Sequence, residues 1–372
     1  MTALAMSDAR ALPVAVDAMG GDHAPGAIVH GAVNAARKGL PVVLVGPEAT
    51  VREELARHRA GHALPIALKH AGEVVAMDDH PGQAMRRKKD NSIRICFELV
   101  KRGAACGMVS AGNSGAVMAG AIFVLGRLPA VERPGIISVL PALKGQPLLV
   151  DMGANVDCKP IHLVQFALMG EVYSRRVLGV ARPKVAVLSN GEEESKGTDL
   201  TRAAAAALKK ASIDFKGYCE GRDLLTGDFD VIVTDGFTGN VALKTMEGTA
   251  KVVGELIKRA LKSSAPAALG GLLAKGALTA MKKQIDWREI GGAPLVGLAG
   301  VGFITHGRSD ALAIENAVRR VRAAADAHAT DEIAAAAAKA EPLLGAPAPG
   351  ACQEPEQHSP PQHARPVTAR EV

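Results

Sequence analysis

Short apolar runs recur along the chain, and each is followed by a loop of small residues and then by a pattern typical of an amphipathic helix. The units are LPVAVDA before a helix from about Gly26 to Lys38, PVVLVG before PEATVREELARHR, ACGMVSAG before a helix from about Ser114, PKVAVLSNG before TDLTRAAAAALKK, FDVIVTDG before a helix from about Thr238, and GVGFITHG before SDALAIENAVRRVRAAA. This alternation predicts an α/β fold with a mostly parallel sheet covered on both faces. The loops then lie at the carboxyl ends of strands, where open α/β sheets bind ligands.

The composition fits a folded protein with a large core. The chain has 372 residues, 48% hydrophobic and 22% charged, which allows one large α/β unit or two lobes. Its five cysteines are scattered and form no Cys-x-x-Cys pair, which favours reduced thiols in a cytosolic chain. The opening MTALAMSDARALP has no basic region followed by an apolar block, and no apolar run is long enough to span a bilayer. We therefore expect a cytoplasmic protein without a signal peptide.

The charge balance narrows the class of partner. The formal net charge is +6 and the sequence pI is about 9.1, which favours acidic partners. Aromatic residues make up only 3%, so bases would find few stacking platforms. We rank nucleic acid behind an acidic protein, a phosphate or an anionic membrane surface, and predict no nucleic-acid partner.

The composition changes at about Glu341. The segment EPLLGAPAPGACQEPEQHSPPQHARPVTAREV is rich in proline and polar residues and has little apolar periodicity. We predict one folded domain over 1–340 and a disordered tail over 341–372.

The loop VAVDAMGGDHAPG carries three candidate ligands close together, Asp17, Asp22 and His23. They allow a metal site, a phosphate cradle or a plain turn between a strand and a helix. No second pair of ligands stands at metal spacing, so we predict no metal. Gly20 and Gly21 favour phosphate binding or backbone shaping instead.

The loop VSAGNSG places Asn113, Ser114 and Gly115 at the start of a predicted helix. Such a start offers free backbone N–H groups and the positive end of a helix dipole to an anion. The alternative, a capped turn with small residues for close packing, is equally consistent with this loop alone.

The loop DMGANVDCKP places Asp151, Asn155 and Asp157 before Pro160, which suits the first turn of a helix. Asp157 is also a candidate cap. Cys158 near a helix start is a candidate nucleophile, but a small packed cysteine is favoured.

The loop LSNGEEESKG carries glutamates 192–194 and then Lys196, directly after a predicted strand. A charge run is usually a solvated face, yet this position suits a ligand. Lys196 is therefore a candidate to meet a phosphate, with the glutamates orienting it or holding a metal.

The stretch TDGFTGNVALKTMEG has Asp235 and Gly236 at a strand end, followed by Asn240 and Lys244 one helical turn apart. His306 also ends a strand, although taken alone it is more often a structural histidine. For both lysines, the alternative is pairing with nearby glutamates, such as those at 194 and 247.

Patterns of the common catalytic classes are absent: there is no Walker lysine pattern, G-x-S-x-G elbow, H-E-x-x-H or G-x-G-x-x-G after the first strand. The repeated unit of strand, small-residue loop and helix start favours an anion site. We predict that one cleft gathers the loops carrying Asn113, Ser114, Asn155, Lys196, Asn240 and Lys244.

Two surfaces suit large partners. The run MRRKKDNS carries Arg86, Arg87, Lys88 and Lys89, which form either a solvated loop or a docking patch for an acidic protein. The segment over 252–287 predicts two apolar-faced helices with basic flanks, joined near 263–266. A dimer interface is the default explanation, and an anionic membrane surface also fits.

Seven motifs in order are together highly specific: VDAMGGDHAPG, MRRKKDNS, VSAGNSGA, DMGANVD, GEEESKG, TDGFTGNVALKTMEG and GGAPLVG. Over about 12–325 the chain resembles the phosphate acyltransferase family of bacterial phospholipid synthesis, the PlsX family. It departs from that pattern at Ala299, where asparagine is frequent, and at Arg308, where serine is usual.

The resemblance implies an enzyme that transfers a fatty acyl group from acyl carrier protein to inorganic phosphate, giving acyl phosphate for phosphatidic acid synthesis. It implies a three-layer α/β/α fold similar to isopropylmalate dehydrogenases and phosphotransacetylases, with a protruding helical pair at about 250–285. It further implies a homodimer without an organic cofactor. Peripheral contact with an anionic membrane and with the next acyltransferase of the pathway is also expected.

Two alternatives stay open: a phosphotransacetylase-like enzyme that uses acyl-coenzyme A, and a non-catalytic module that binds acyl carrier protein and membrane. For the enzyme we predict catalytic roles for Lys196, Asn240, Lys244 and His306. Carrier docking is assigned to the basic run Arg86 to Lys89. Substrate binding is assigned to Asp17, Gly20, Gly21, Asn113, Ser114, Gly115, Asp151, Asn155, Asp235 and Gly236.

Overall fold

The strand–helix units predicted from the sequence are present in the computed structural model, which describes residues 12–58 and 64–344. The strands are β1 (Val14–Asp17), β2 (Val42–Gly46), β3 (Ile66–His70), β4 (Gly107–Ser110), β5 (Gly135–Val139), β6 (Leu148–Val150), β7 (Lys184–Leu188), β8 (Asp214–Cys219), β9 (Val231–Val233), β10 (Ala293–Val296) and β11 (Gly302–Ile304). The helices are α1 (Gly26–Arg37), α2 (Glu48–Arg57), α3 (Pro81–Arg87), α4 (Ser92–Lys101), α5 (Ser114–Val124), α6 (Pro160–Val177), α7 (Asp199–Leu208), α8 (Gly236–Leu261), α9 (Ala265–Leu273), α10 (Lys275–Gln284), α11 (Trp287–Ile290), α12 (Ala311–Asp326), α13 (Thr330–Ala337) and α14 (Ala340–Leu344).

All eleven strands of the described residues form one sheet, in the order β3-β2-β1-β4-β11-β10-β5-β6-β9-β7-β8. Neighbours are parallel from β3 to β11 and again from β6 to β8. Between these halves, β10 and β5 pair antiparallel with their neighbours and with each other. The prediction of a mostly parallel sheet with helices on both faces is confirmed.

Alternation along the strands explains the three layers. In β1 and β2, Val14 and Leu44 pack with α1 and α12, whereas Ala15 and Val43 pack with α4 and α5 on the other face. In the second half of the sheet, side chains of β6, β7 and β9 alternate in the same way between α6 and the first turns of α8. Successive strand residues point to opposite faces, so continuously apolar strands bury both.

The protruding pair expected at about 250–285 is a chain of three helices. α8 continues unbroken from the sheet to Leu261, and Ala274 separates α9 from α10. In α9 and α10 no residue is buried, and large apolar side chains such as Leu272 and Leu273 are 66% and 81% exposed. We call residues 252–284 the arm.

The chain end differs from the predicted boundary. Ala340–Leu344 is a short helix, and Leu343 and Leu344 pack against the core around α6. The ordered structure therefore runs past the expected boundary at 341, and 345–372 lies outside the described residues. Within the described part, no helix has both the length and the apolar character needed to cross a bilayer.

Candidate functional site

A cavity of about 910 Å³ lies over β5, between helix α8 and the loops that follow β4 and β11. Much of its wall is apolar. Ile136, Val139 and Leu140 come from β5 and the residue after it, and Leu243 and Met246 come from α8. Cavities of this size with apolar walls and a few polar groups are typical of small-molecule sites.

Helix α8 explains how distant loops share this cavity. From β11 to β6 the strand direction reverses three times, because the pairs β11–β10, β10–β5 and β5–β6 are all antiparallel. The carboxyl ends of β4 and β11 therefore lie at the opposite edge of the sheet from those of β6 and β9. α8 begins after β9, and its Asn240 lies against Gly153, where an added Cβ would be 3.7 Å away. Glu247, about 10 Å further along the helix axis, lies 3.4 Å from His306 in the loop after β11. α8 therefore connects the two sets of strand ends.

Five side chains form a charged and aromatic cluster on the cavity wall. Lys244 Nζ lies 3.1 Å from Glu247 Oε2, and His306 Nε2 lies 3.4 Å from Glu247 Oε1. The Trp287 and His306 rings lie nearly perpendicular to each other with their centroids 4.8 Å apart, and the Arg308 guanidinium lies 5.2 Å from the same indole. One carboxylate thus joins a lysine and a histidine beside a cation–π pair.

Burial sets the proton affinity of His306. Loss of hydration lowers its pKa below the usual value, and the positive charges of Lys244 and Arg308 act in the same direction. The Glu247 carboxylate opposes them. At neutral pH the ring is therefore mainly the neutral imidazole, which can both accept and return a proton.

Helix α5 begins at the cavity. Ser114 and Gly112 line the wall, so the first turn of this helix faces the space. Asn113 caps the helix by accepting from Ala116 N at 3.0 Å, and its amide donates to the carbonyl oxygen of Met77 at 2.9 Å. The loop is therefore a capped turn, and it also places the positive end of a helix dipole at the cavity, where anion binding stays a prediction.

The loop after β1 is a packed turn rather than part of the cavity wall. Asp17 is 1% exposed and accepts hydrogen bonds from Ser110 Oγ at 2.6 Å and Met19 N at 3.1 Å. Burial raises its pKa, against the effect of the Ser110 hydrogen bond. An added Cβ on Gly20 would lie 2.6 Å from Gly112 N, so only glycine fits there. Asp17 and Gly20 shape the backbone, and the substrate-binding role expected for them has no support in this geometry.

The same turn supports the loop of His306. Asp22 N donates to the carbonyl oxygen of Gly307 at 2.7 Å, with Gly21 in the left-handed region at φ +105°. Asp22 and His23 are exposed, and Asp17 is buried away from them. Across 12–58 and 64–344, no three His, Cys, Asp or Glu side chains are grouped to hold a metal ion.

Asp151 directly follows β6 and connects this strand to its antiparallel neighbour β5. The side chain is fully buried and accepts from Ile136 N at 2.9 Å, Asn155 N at 2.7 Å and Asn155 Nδ2 at 2.9 Å. The Asn155 amide also donates to the carbonyl oxygen of Pro134 at 2.8 Å. Burial raises the pKa of Asp151, and the donated hydrogen bonds counteract it. Asp151 and Asn155 are therefore inside the fold and do not line the cavity.

The start of α8 sits on the Asp151 loop. A Cβ added to Gly239 would lie 2.1 Å from the carbonyl oxygen of Asp151, and a Cβ added to Gly236 would lie 2.9 Å from Asp151 Oδ2. Asp235 caps the helix, accepting from Thr238 N and Thr238 Oγ1, each at 2.8 Å. Gly236 and Asp235 thus have structural partners, and it is the second turn of α8, from Asn240 on, that reaches the cavity.

Lys196 lies in the loop after β7, exposed and outside the cavity wall. Its neighbouring glutamates pair elsewhere: Glu194 with Lys209, and Glu192 with Arg222 at 3.0 Å. The structure thus brings Ser114, Asn240, Lys244 and His306 to one cavity, with Asn113 and Asn155 holding its walls. It does not bring Lys196 there.

Two further candidate residues, Cys158 and Lys88, have contacts within the fold. Cys158 is half-buried, and burial raises the pKa of its thiol to about 11, so it is a packed thiol and not an activated nucleophile. In the basic run, Lys88 pairs with Asp79 and donates to the carbonyl oxygen of Val74 at 2.9 Å. Arg87 and Lys89 are exposed.

Comparison with known proteins supplies the family. The profile of the family described as "Fatty acid synthesis protein" matches residues 12–332. A protein named "Phosphate acyltransferase" from Anaeromyxobacter sp. (strain Fw109-5) is 78% identical over 343 residues, which cover 92% of this chain and 96% of that one. One of the same name from Geotalea uraniireducens (strain Rf4) is 55% identical, covering 82% and 88%. The chain belongs to the phosphate acyltransferase family.

Solved structures show which fold this family member shares. A phosphotransacetylase from Streptococcus pyogenes superposes with a TM-score of 0.55 at 17% identity, covering 85% of this chain and 94% of that one. The EutD phosphotransacetylase from Staphylococcus aureus gives 0.52 at 18%, with the same coverage. The expected likeness to phosphotransacetylase folds is confirmed at the level of the fold.

Sequence reasoning missed two residues of the cluster. Glu247 entered only as a partner for Lys244, and its contact with His306 joins residues 59 positions apart. Trp287 was not singled out, although it is the one tryptophan of the chain. A tryptophan at the end of an amphipathic segment was the available signal, but spacing alone does not place it beside a histidine.

We expect Asp151→Asn to lower the free energy of unfolding by about 2 kcal/mol or more, because an amide NH₂ would face the Asn155 donors and leave them unsatisfied. Urea denaturation followed by circular dichroism measures this change. The control is Asp157→Asn, an exposed position in the same loop, which should stay within about 0.5 kcal/mol of the parent. Equal stability of both variants would contradict the role of Asp151.

Proposed function

We propose that this chain transfers a fatty acyl group from acyl carrier protein to inorganic phosphate, forming an acyl phosphate for phospholipid synthesis. Family membership supports acyl transfer to phosphate. The observation that carries the proposal is one cavity that combines a largely apolar wall with Lys244, Asn240 and His306. An acyl chain requires the apolar wall, and a phosphate with a thioester carbonyl requires the polar side chains.

The chemistry asks mainly for positioning. Phosphate at neutral pH is already an anionic nucleophile, so its attack on a thioester needs alignment and stabilisation of the developing oxyanion. Lys244 brings a full positive charge, Asn240 brings an amide donor, and the start of α5 at Ser114 brings N–H groups and a dipole. In the proposed mechanism these groups hold the phosphate, while the apolar wall aligns the acyl chain.

The function is tested by offering palmitoyl carrier protein and palmitoyl-coenzyme A side by side with phosphate. Acyl phosphate, detected by mass spectrometry, should form from the carrier-protein thioester at least about tenfold faster. Preference for the coenzyme A thioester would favour a phosphotransacetylase-like enzyme. Binding of the carrier without any product would favour a non-catalytic module.

We expect Lys244→Ala to lower kcat/KM for phosphate about tenfold or more, since a charge-assisted hydrogen bond contributes roughly 1.5–3 kcal/mol. Lys216→Ala is the matched control, a half-exposed lysine paired with Asp214 at 2.8 Å on β8. Lys196→Ala in the same assay tests the catalytic role still proposed for Lys196. Unchanged phosphate dependence in Lys244→Ala would show that N–H groups and dipoles suffice.

The basic run supports carrier docking. Acyl carrier protein is acidic, and exposed cations steer such partners. Arg87 and Lys89 are exposed, and Arg86 lies 5.8 Å from the Phe123 ring, which is itself half exposed. Lys88 is held internally by Asp79, so the docking proposal rests on the other three side chains.

We expect Arg87→Glu to raise KM for the acyl carrier substrate about threefold or more at low salt, with kcat within twofold. The effect should shrink as salt screens the charges. Lys210→Glu, an equal charge change at the end of α7, is the control. An identical response of the two variants would contradict a docking patch at Arg87.

The arm supports the proposed homodimer and the proposed membrane contact. Val252 and Leu256 on α8 are 59% and 58% exposed, and Leu269, Leu272 and Leu273 on α9 are 60–81% exposed. Contiguous exposed apolar side chains indicate a surface that another apolar surface covers. We propose that the part of α8 within the arm binds the second copy of the chain. The tip of α9, near Lys275, is proposed to contact an anionic membrane.

We expect Leu256→Glu to convert a dimer of the 38.3 kDa chain to a monomer in light scattering. Leu272→Glu should keep the dimer but lose most of its cosedimentation with anionic vesicles. Leu143→Glu, at an 87% exposed leucine outside the arm, serves as the control. A monomeric parent protein, or vesicle binding unaffected by Leu272→Glu, would contradict the respective assignment.

A cytoplasmic, peripherally membrane-associated location and contact with the next acyltransferase of the pathway remain part of this proposal. That no metal, organic cofactor or nucleic acid is required also stays a prediction. Insensitivity of turnover to EDTA is the result expected for the first of these.

A further inference from the structure

A thioester that loses its acyl group releases a thiolate, which must acquire a proton. The hydrogen phosphate dianion brings one proton, on an oxygen that becomes much more acidic once the acyl group is attached. A group that moves this proton to sulfur within the cavity would complete the reaction without exchange with solvent. The group needs to be neutral at rest and able to carry a proton briefly.

His306 is the cavity side chain with these properties. It is one-third exposed, its ring lies nearly perpendicular to the Trp287 ring with the ring centroids 4.8 Å apart, and its carbonyl oxygen accepts from Ser309 Oγ at 2.6 Å. Its backbone and one side of its ring are thus fixed. The charges around it are Glu247 and Lys244 from α8, Arg308 from its own loop, and Asp22, whose carboxylate lies beside Gly307.

Glu247 is the anion in contact with this ring, through Oε1, while its Oε2 pairs with Lys244. An imidazolium formed at His306 would be stabilised by this carboxylate, against the destabilising effect of burial and of the two cations. The same carboxylate fixes the direction of the Lys244 ammonium. One side chain thereby couples the proposed phosphate ligand to the proposed proton carrier.

Resting on the function proposed above, we propose that Glu247 is a positioning residue that holds His306 to carry the proton from phosphate to the departing sulfur. A phosphate oxygen forms the new C–O bond as the carbonyl electron pair moves to oxygen. His306 accepts the remaining phosphate proton, the carbonyl re-forms, and the C–S electron pair leaves with sulfur. The imidazolium returns its proton to that sulfur, so hydrogen phosphate and thioester give acyl phosphate dianion, thiol and unchanged imidazole.

The decisive variant is Glu247→Gln, which removes the charge and keeps the shape. Because the neutral imidazole is the active form, kcat rises with pH through the pKa of His306. Loss of the carboxylate lowers that pKa, so the acidic limb of the kcat profile should move about one pH unit lower. We expect kcat at neutral pH to fall about tenfold, with KM for phosphate within threefold. Glu247→Asp, which keeps the carboxylate, should leave the limb close to its parent position.

Glu98→Gln is the matched control. Glu98 on α4 also bridges two cations, Arg94 at 3.1 Å and Arg102 at 3.3 Å, and its side chain is 31% exposed against 28% for Glu247. Neither kcat nor the pH limb should change in this variant. An unmoved limb in Glu247→Gln, or an equal loss in Glu98→Gln, would overturn the proposal.

A readout without turnover separates this proposal from the function itself. The His306 ring is titrated by NMR in ¹⁵N-histidine protein, with its signal identified by its loss in His306→Gln. A lower pKa in Glu247→Gln than in the parent supports the coupling, and an equal pKa overturns it. Absence of acyl phosphate from the parent enzyme would instead refute the function, and the proton-transfer role with it.

Discussion

The buried carboxylate of Asp151 is the interaction on which the site depends. It accepts hydrogen bonds from Ile136 on β5 and from Asn155 in the loop after β6, the antiparallel neighbour of β5. The helix α8 rests on this loop through Gly236 and Gly239, whose missing side chains allow backbone contact. This contact at the start of α8 sets the position of the later α8 residues, including those that line the cavity.

Because α8 begins at one set of strand ends and passes the other, two loops that strand direction separates become one site. A short helix after β9 would leave His306 without the Glu247 carboxylate. The length of α8 is also what carries its last turns beyond the core and into the arm. The cavity contacts of Lys244 and Glu247 and the exposed apolar surface of the arm are therefore consequences of the same uninterrupted helix.

The fold alone does not choose the acyl donor. Phosphotransacetylases superpose on this chain at 17–18% identity, so the same sheet serves other members of a wide structural group. The difference in acyl donor proposed here rests on two surfaces of this chain. The exposed cations of the basic run suit a large acidic partner, and the arm offers apolar surface that a small thioester would not need.

The sequence by itself determined the strand–helix units, the face alternation and the small-residue loops, since these depend on local periodicity and turn chemistry. It identified Lys244 and His306 as candidates for the same reason. It missed the antiparallel strands β5 and β10, which have no helix of their own, and so expected all carboxyl ends to converge. Only the tertiary structure decided that Asp17 and Asp151 are buried supports and that Glu247 meets His306. Contacts between residues far apart in the chain depend on strand order and helix length, which no local pattern encodes.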